Sequence, residues 1–365
     1  MIRRASYRLV QNRVVPSPIT GIQVNSRFYS SSQFLGQPKI LQGGRIQWEN
    51  KKGSRSFELS LLETNVTAAS TPSIFTHRSV CSLNNILGDD MDVAEKVKAV
   101  FANSPEPDAD FDEIVQLIFP GALSNKDLVS RVVDTLALKG YSGSNTLLGT
   151  SFCCDELARQ LEDDFNGIYG HNFNLGGLSG FPFAGNTGFG AMAAHIPDNG
   201  YCFVAYGPHV GITADGHVGK VERSGIELVD SCCGSAIAAS NYVKGITEGG
   251  AQITTKLQEF TDFQQGAVQE LILPHGRRLA DAEDRMAELP FALYESQDML
   301  MREIVKRGAT GIKRGLALLG GVQINTGPDT LDYFVPLRFD FMNFRGEVID
   351  DMLPSLKEYV QEKLS

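Results

Sequence analysis

Thr150-Ser151-Phe152-Cys153-Cys154-Asp155-Glu156-Leu157-Ala158-Arg159 opens a stretch, residues 150–235, that carries most of the chain's cysteine and much of its glycine. Leu147–Phe152 is a short apolar strand, and the thiols stand where it stops and a helix, Asp155–Phe165, begins. A glycine-rich turn follows, from Asn174-Leu175-Gly176-Gly177-Leu178-Ser179-Gly180-Phe181-Pro182-Phe183 to Gly190. It lacks the spacing of a phosphate-binding loop, and its phenylalanines and proline read as a close-packed apolar wall. Tyr201–Tyr206 is a buried strand that runs out at Gly207-Pro208-His209, and Ser231-Cys232-Cys233-Gly234-Ser235 closes the stretch.

Outward from this centre the rhythm of strand, turn and helix continues. Phe189–His195 is a helical turn, Gly219–Val229 holds one or two strands, and Gly234–Val243 is a helix of small residues. Glu288–Arg307 is an amphipathic helix, Leu316–Ile324 and Tyr333–Asp340 are strands, and Asp350–Leu364 is a terminal helix. Apolar strands alternating with helices predict an α/β fold with a mostly parallel central sheet flanked by helices over residues 146–365. Residues 49–145 read as an N-terminal helical segment packed on that core. In it, Ser56–Leu62 is a short strand, and Asp92–Ala102, Phe111–Ile118 and Lys126–Lys139 are helices.

Residues 1–48 contain no Asp or Glu, while Arg3, Arg4, Arg8, Arg13, Arg27, Lys39 and Arg45 are basic. This is the composition of an organelle transit peptide and flexible leader. Arg27-Phe28-Tyr29-Ser30-Ser31 resembles a mitochondrial processing site, so the expected destination is the mitochondrial matrix, with the plastid stroma as the alternative. A net charge of −10 argues against general nucleic-acid binding. No apolar run is long enough for a transmembrane segment. Six cysteines in 365 residues are too few to frame a secreted disulfide scaffold, and in pairs they suit metal ligation or a reduced core.

Three points of this chain end apolar runs in groups that bind soft cations: Cys153 or Cys154, His209, and Cys232 or Cys233. In open α/β sheets such points converge at the carboxyl ends of strands. Thiol, imidazole and thiol make a zinc site with one open position. Neighbouring side chains at a strand end point opposite ways, so only one cysteine of each pair faces the ion. Two other readings fit these residues: reduced cysteines filling a core beside a hydrogen-bonded His209, and a metal-free nucleophile, Cys153 with His209 as base. Asp155 and Arg159, four apart, are expected to pair on one helix face, either with Arg159 holding Asp155 ionised beside the ion or as an exposed surface pair. His195 precedes a turn and is a structural histidine or a proton relay. His217 follows the turn signal Asp215-Gly216 and faces solvent. Cys202, mid-strand, is a small core residue.

The phrases Phe152-Cys153-Cys154-Asp155-Glu156, Gly180-Phe181-Pro182-Phe183, Gly188–Pro197, Tyr206-Gly207-Pro208-His209-Val210-Gly211, Gly320–Thr326 and Tyr333–Asp340 are long and distinctive. Across roughly residues 85–360 the chain resembles the low-CO2-inducible protein B/C family, a divergent branch related to β-carbonic anhydrases. The resemblance implies a β-carbonic-anhydrase-like fold with a Cys/His/Cys zinc site, usually in a homodimer or higher oligomer, with a paralogue as another partner. Carried over, the ligands of Zn2+ are Cys153, His209 and Cys233, since Cys153 and Asp155 reproduce the Cys-x-Asp spacing of β-carbonic anhydrases. Asp155 and Arg159 then form the catalytic pair, Phe152, Phe181 and Phe183 line the pocket, and His195 relays protons. Two departures stand out. The Arg that β-enzymes carry two residues after the Asp is Leu157 here, and His209 and Cys233 lie in separate segments rather than three apart. The implied activity is interconversion of carbon dioxide and bicarbonate through a zinc-bound hydroxide. The alternative is a catalytically silent zinc protein of the same fold, structural or bicarbonate-sensing, closed if Asp155 takes the fourth position.

Overall fold

The computed structural model describes residues 39–41, 45–48, 57–60, 93–105, 108–170, 172–223, 226–249 and 261–357. They fall into two units, Met1–Thr76 and His77–Ser365. In the first, β1 (Lys39–Leu41), β2 (Arg45–Trp48) and β3 (Phe57–Ser60) form an antiparallel sheet in that order. β3 lies within the strand expected at 56–62. β1 and β2 lie inside the segment read as a leader, and Trp48 pairs with Phe57 across the boundary expected after residue 48. The Arg27-Phe28-Tyr29 site lies outside the described residues.

The second unit begins with α1 (Val93–Val100), α2 (Ala109–Ile118), β4 (Leu123–Ser124) and α3 (Asn125–Leu138). β5 (Thr146–Ser151), α4 (Arg159–Tyr169), β6 (Asn172–Asn174), α5 (Gly185–Ala194), β7 (Tyr201–Tyr206) and β8 (His209–Gly211) follow. The chain continues through β9 (Lys220–Arg223), β10 (Ile226–Ser231), α6 (Gly234–Thr247), α7 (Phe263–Ile272), α8 (Gly276–Asp281) and α9 (Arg285–Gly308). It ends with β11 (Leu316–Asn325), β12 (Tyr333–Met342), β13 (Val348–Asp351) and a helical turn over 353–357.

The central sheet runs β13-β12-β11-β7-β5-β6, with β4 on β12 and β8 on β11. β6, β5, β7, β8 and β11 pair in parallel, whereas β12, β13 and β4 add antiparallel partners at one side. The sheet is therefore α/β with helices on both faces, as the rhythm of apolar strands implies. Alternation along β7 and β11 explains why these strands read as unbroken apolar runs. Phe203, Ala205, Ala317 and Leu319 enter one core layer, while Cys202, Val204, Leu316 and Leu318 enter the other. Cys202 is the small core residue expected, and burial pushes its thiol up to about 12.

The N-terminal helices divide between the two faces. Leu128, Val132 and Leu136 of α3 join the first layer, and Phe111 and Val115 of α2 join the second. Asp108 caps α2 by accepting from Asp110 and Phe111 N–H, and Ser124 caps α3 by accepting from Asp127 N–H. β4 then enters the sheet itself, where Leu123 and Ser124 pair with β12. At the other end, Asp350 and Asp351 do not begin a helix as expected. They close β13, which pairs with β12, and the helix starts after Met352. An exposed strand without apolar alternation carries no period to read.

Candidate metal centre

Everything that converges does so at the carboxyl edge of the parallel strands. Ser151 ends β5 opposite Tyr206, the end of β7, and Cys153 follows two residues on. Gly207-Pro208 turns the chain so that His209 opens β8 against Gln323 of β11. A side chain at Gly207 would put its Cβ 1.9 Å from the Gly321 carbonyl oxygen, so only glycine lets these strands approach. Cys233 comes from the far side, as the residue that caps α6 just after β10. The glycine-rich turn packs beneath: a Cβ at Gly176 would meet the Phe152 carbonyl at 2.2 Å, and one at Gly180 the Gly207 carbonyl at 2.4 Å. This is the close-packed wall its composition implies.

Cys153, His209 and Cys233 are all buried, and one donor atom from each lies within 4.8 Å of the others. The two sulfurs are 3.8 Å apart and unbonded. Tetrahedral coordination with metal–sulfur bonds of about 2.3 Å separates two sulfurs by about 3.8 Å, so the pair fits an ion such as zinc. The His209 ring supplies the remaining test. Its Nδ1 lies 2.8 Å from Asn325 Oδ1, while Nε2 is buried with no hydrogen-bond partner. A buried ring nitrogen without a partner is costly unless it meets a cation.

The neighbours of these three are held away. Cys154 is exposed. The Cys232 sulfur sits 3.4 Å from His209 Nδ1, on the ring edge opposite Nε2. The charge balance follows from placement. Cys233 is held below the usual thiol range, first because Cys153 donates to it and then, against burial, because the Ala236 N–H points at it. Cys153 is pushed up to about 12, by that hydrogen bond and by burial. The helix end that favours a thiolate here is the start of α6, behind Cys233, and not the helix that follows Cys153. Burial lowers His209, but the sulfurs of Cys232 and Cys153 outweigh it and raise the imidazole well above its usual range. A field that holds a proton there attracts a cation.

Asp155 caps a 3-10 turn, Glu156–Ala158, by accepting from the Leu157 N–H at 3.2 Å. Its expected partner is elsewhere: Arg159 pairs with Glu162 at 3.2 Å, because the turn offsets Asp155 from the face of α4. Arg223 of β9 takes that place and forks onto both carboxylate oxygens, at 3.0 and 3.1 Å, while also bonding Glu156. Burial raises the Asp155 carboxyl, but Arg223, His209 and the Leu157 N–H outweigh it and hold it at about 2. Sequence reasoning missed Arg223, which stands 68 residues from Asp155.

His195 is not part of this centre. It ends α5, exposed, six residues before Tyr201, and so lies at the amino edge of β7 while the cluster lies at the carboxyl edge. Its Nδ1 is 2.7 Å from the Ala191 carbonyl and its ring lies beside Phe173. This placement, at the other edge of the strand, speaks against the proton-relay expectation. His217 is exposed, as expected, and pairs with Asp215 at 2.9 Å. Phe152 and Phe181 are buried in the layer that holds Cys153 and Cys233, with Phe183 packed against it. The void that touches His209 and Cys233 is different: about 10 Å³, walled by Val210, Ile237, Met286, Leu289 and Leu293. A larger cavity of about 530 Å³, near Phe111, Ile212 and His217, shares none of the three cluster residues.

A parallel sheet with a buried Cys/His/Cys cluster at its carboxyl edge, and an Asp–Arg pair beside it, is the arrangement of a β-carbonic-anhydrase-like protein. The family model of the limiting CO2-inducible proteins B/C beta carbonic anhydrases matches residues 122–343. The chain belongs to that family. Among solved structures, PtLCIB4, a homologue of the limiting CO2-inducible protein LCIB, is 42% identical, with 66% of this chain and 99% of that chain covered and a TM-score of 0.62. LCIB itself is 21% identical over 64% of this chain and 96% of its own, with a TM-score of 0.51, a likeness of fold. The comparison with curated proteins gave no match.

Proposed function

We propose that this protein is a zinc-dependent carbonic anhydrase that interconverts carbon dioxide and bicarbonate. One observation carries the reading: three soft donors converge in the core, while Arg223 engages both oxygens of Asp155, the carboxylate two residues after Cys153. Zn2+ held by Cys153, His209 and Cys233 would supply a water acidic enough to ionise near neutral pH. The chain's own groups do the rest. Arg223 keeps Asp155 ionised and turned from the cluster, so Asp155 serves as an acceptor that orients the reacting oxygen rather than as a ligand. The apolar walls around His209 and Cys233 leave about 10 Å³, space for about one water, which excludes a bulky ester; Met286, an adaptable side chain on that wall, would have to yield for carbon dioxide to enter.

The test is stopped-flow hydration of carbon dioxide by the full-length protein, as purified, after chelation, and after zinc is restored. Activity that vanishes and returns with zinc supports the reading, and equal rates in all three states would end it. Two further parts of the proposal rest on sequence. The basic leader is proposed to direct the protein to the mitochondrial matrix. A reporter fused to residues 1–48 should enter mitochondria, and entry into plastids would refute that address. The proposed homodimer should run at twice the chain mass in light scattering.

A further inference from the structure

We propose that Asn325 is the positioning residue that fixes the His209 imidazole for metal binding and ties it to the turn carrying Asp155. The inference rests on the metal-site reading of Cys153, His209 and Cys233. Asn325 ends β11, is 1% exposed, and has its whole amide engaged. Its Nδ2 donates to the Leu157 carbonyl at 2.9 Å and to Asp332 Oδ2 at 2.9 Å. Asp332 is itself held by the Thr326 N–H at 2.8 Å. A carbonyl and a carboxylate both accept, so the amide cannot be turned over without setting oxygen against oxygen. Oδ1 must then face His209, and the ring nitrogen 2.8 Å away, Nδ1, must carry a proton to donate.

The consequence falls on the other nitrogen. With Nδ1 protonated, the neutral ring presents the lone pair of Nε2, the atom left buried without a partner. The same amide grips Leu157, the middle residue of the turn that Asp155 caps. One side chain therefore sets the tautomer of a ligand and the position of the carboxylate beside it.

Nitrogen-15 NMR of the full-length, Zn2+-loaded protein labelled at histidine tests this directly, with the His209 signals assigned by their loss in His209→Gln. The expected signature is a proton on Nδ1 and zinc on Nε2, and the opposite arrangement would overturn the proposal. Chelator competition then compares variants. Asn325→Ala should weaken Zn2+ binding ten- to a hundredfold, the usual effect of losing a partner behind a ligand. A folded Asn325→Ala with wild-type affinity would refute it. Should the alanine variant fail to fold, the wild-type NMR signature decides. A wild-type protein that binds no Zn2+ would bring down the metal-site reading as well, a result distinct from zinc bound through the wrong nitrogen.

Discussion

Cys232 and Cys233 are adjacent in sequence, yet only Cys233 joins Cys153 and His209 in the cluster while the Cys232 sulfur lies against the ring's Nδ1, and this separates a ligand from a neighbour. Cys233→Ala should lose most of the bound zinc, because a site with two protein ligands no longer closes its coordination shell. Cys232→Ala should keep it, and metal analysis per chain decides; the reverse pattern would exchange their roles. The carboxylate beside them divides in the same way. Asp155→Asn and Arg223→Gln should each lower hydration by roughly a hundredfold to a thousandfold, as for loss of one positioned electrostatic group, with zinc retained. Arg159→Gln, at a half-exposed pair with Glu162, should leave the rate nearly unchanged. Cys153, His209 and Cys233 were legible because each ends an apolar run and because the resemblance chose between neighbours. Arg223 was not, since a pairing across 68 residues leaves no local trace. Asn325 had left one: an amide closing a strand that is otherwise apolar or glycine apart from Gln323.

At the scale of elements, the buried strands were the most readable part of the chain. β7 has the bounds its apolar run implies, and β11 extends the expected strand by one residue. Long helices were legible for the same reason: α3 and α9 show apolar spacing and start from capping side chains, Ser124 and Asp284. The short strands were not, because β4, β6 and β8 have two or three residues each and exist only through their partners. The helix expected to begin at Asp155 was displaced because the Asp side chain caps a tighter turn first. The junction of β7 and β8 gives an element-scale prediction. Gly207→Ala drives a Cβ onto the Gly321 carbonyl, and backbone cannot yield as a side chain does. Denaturant unfolding should show a loss of at least about 3 kcal/mol, the upper end of overpacking costs. Zinc affinity should fall with it, since His209 is two residues on.

Across the whole molecule, the fold also buries carboxyls that the centre does not use, Asp164 among them. Asp164 of α4 is pushed up to about 8, chiefly by burial, with the Gln160 amide pulling it back. Its Oδ2 is buried with no hydrogen-bond partner, where a proton is easier to keep than a bare charge. A folded pKa above the unfolded value means that its contribution to stability is full below about pH 4 and is lost as pH rises toward 8. Asp164→Asn should therefore flatten the fall in melting temperature between pH 5 and 8, and a slope unchanged from wild type would show that Asp164 is ionised in the fold. The central claim is that one metal ion at the carboxyl edge of the sheet turns this fold into a hydratase. Titrating metal-free full-length protein with Zn2+ while recording the carbon dioxide hydration rate tests it most directly. The predicted rate rises in proportion to bound zinc and levels off at one ion per chain; a site filled with zinc at a rate no greater than the buffer's would contradict it.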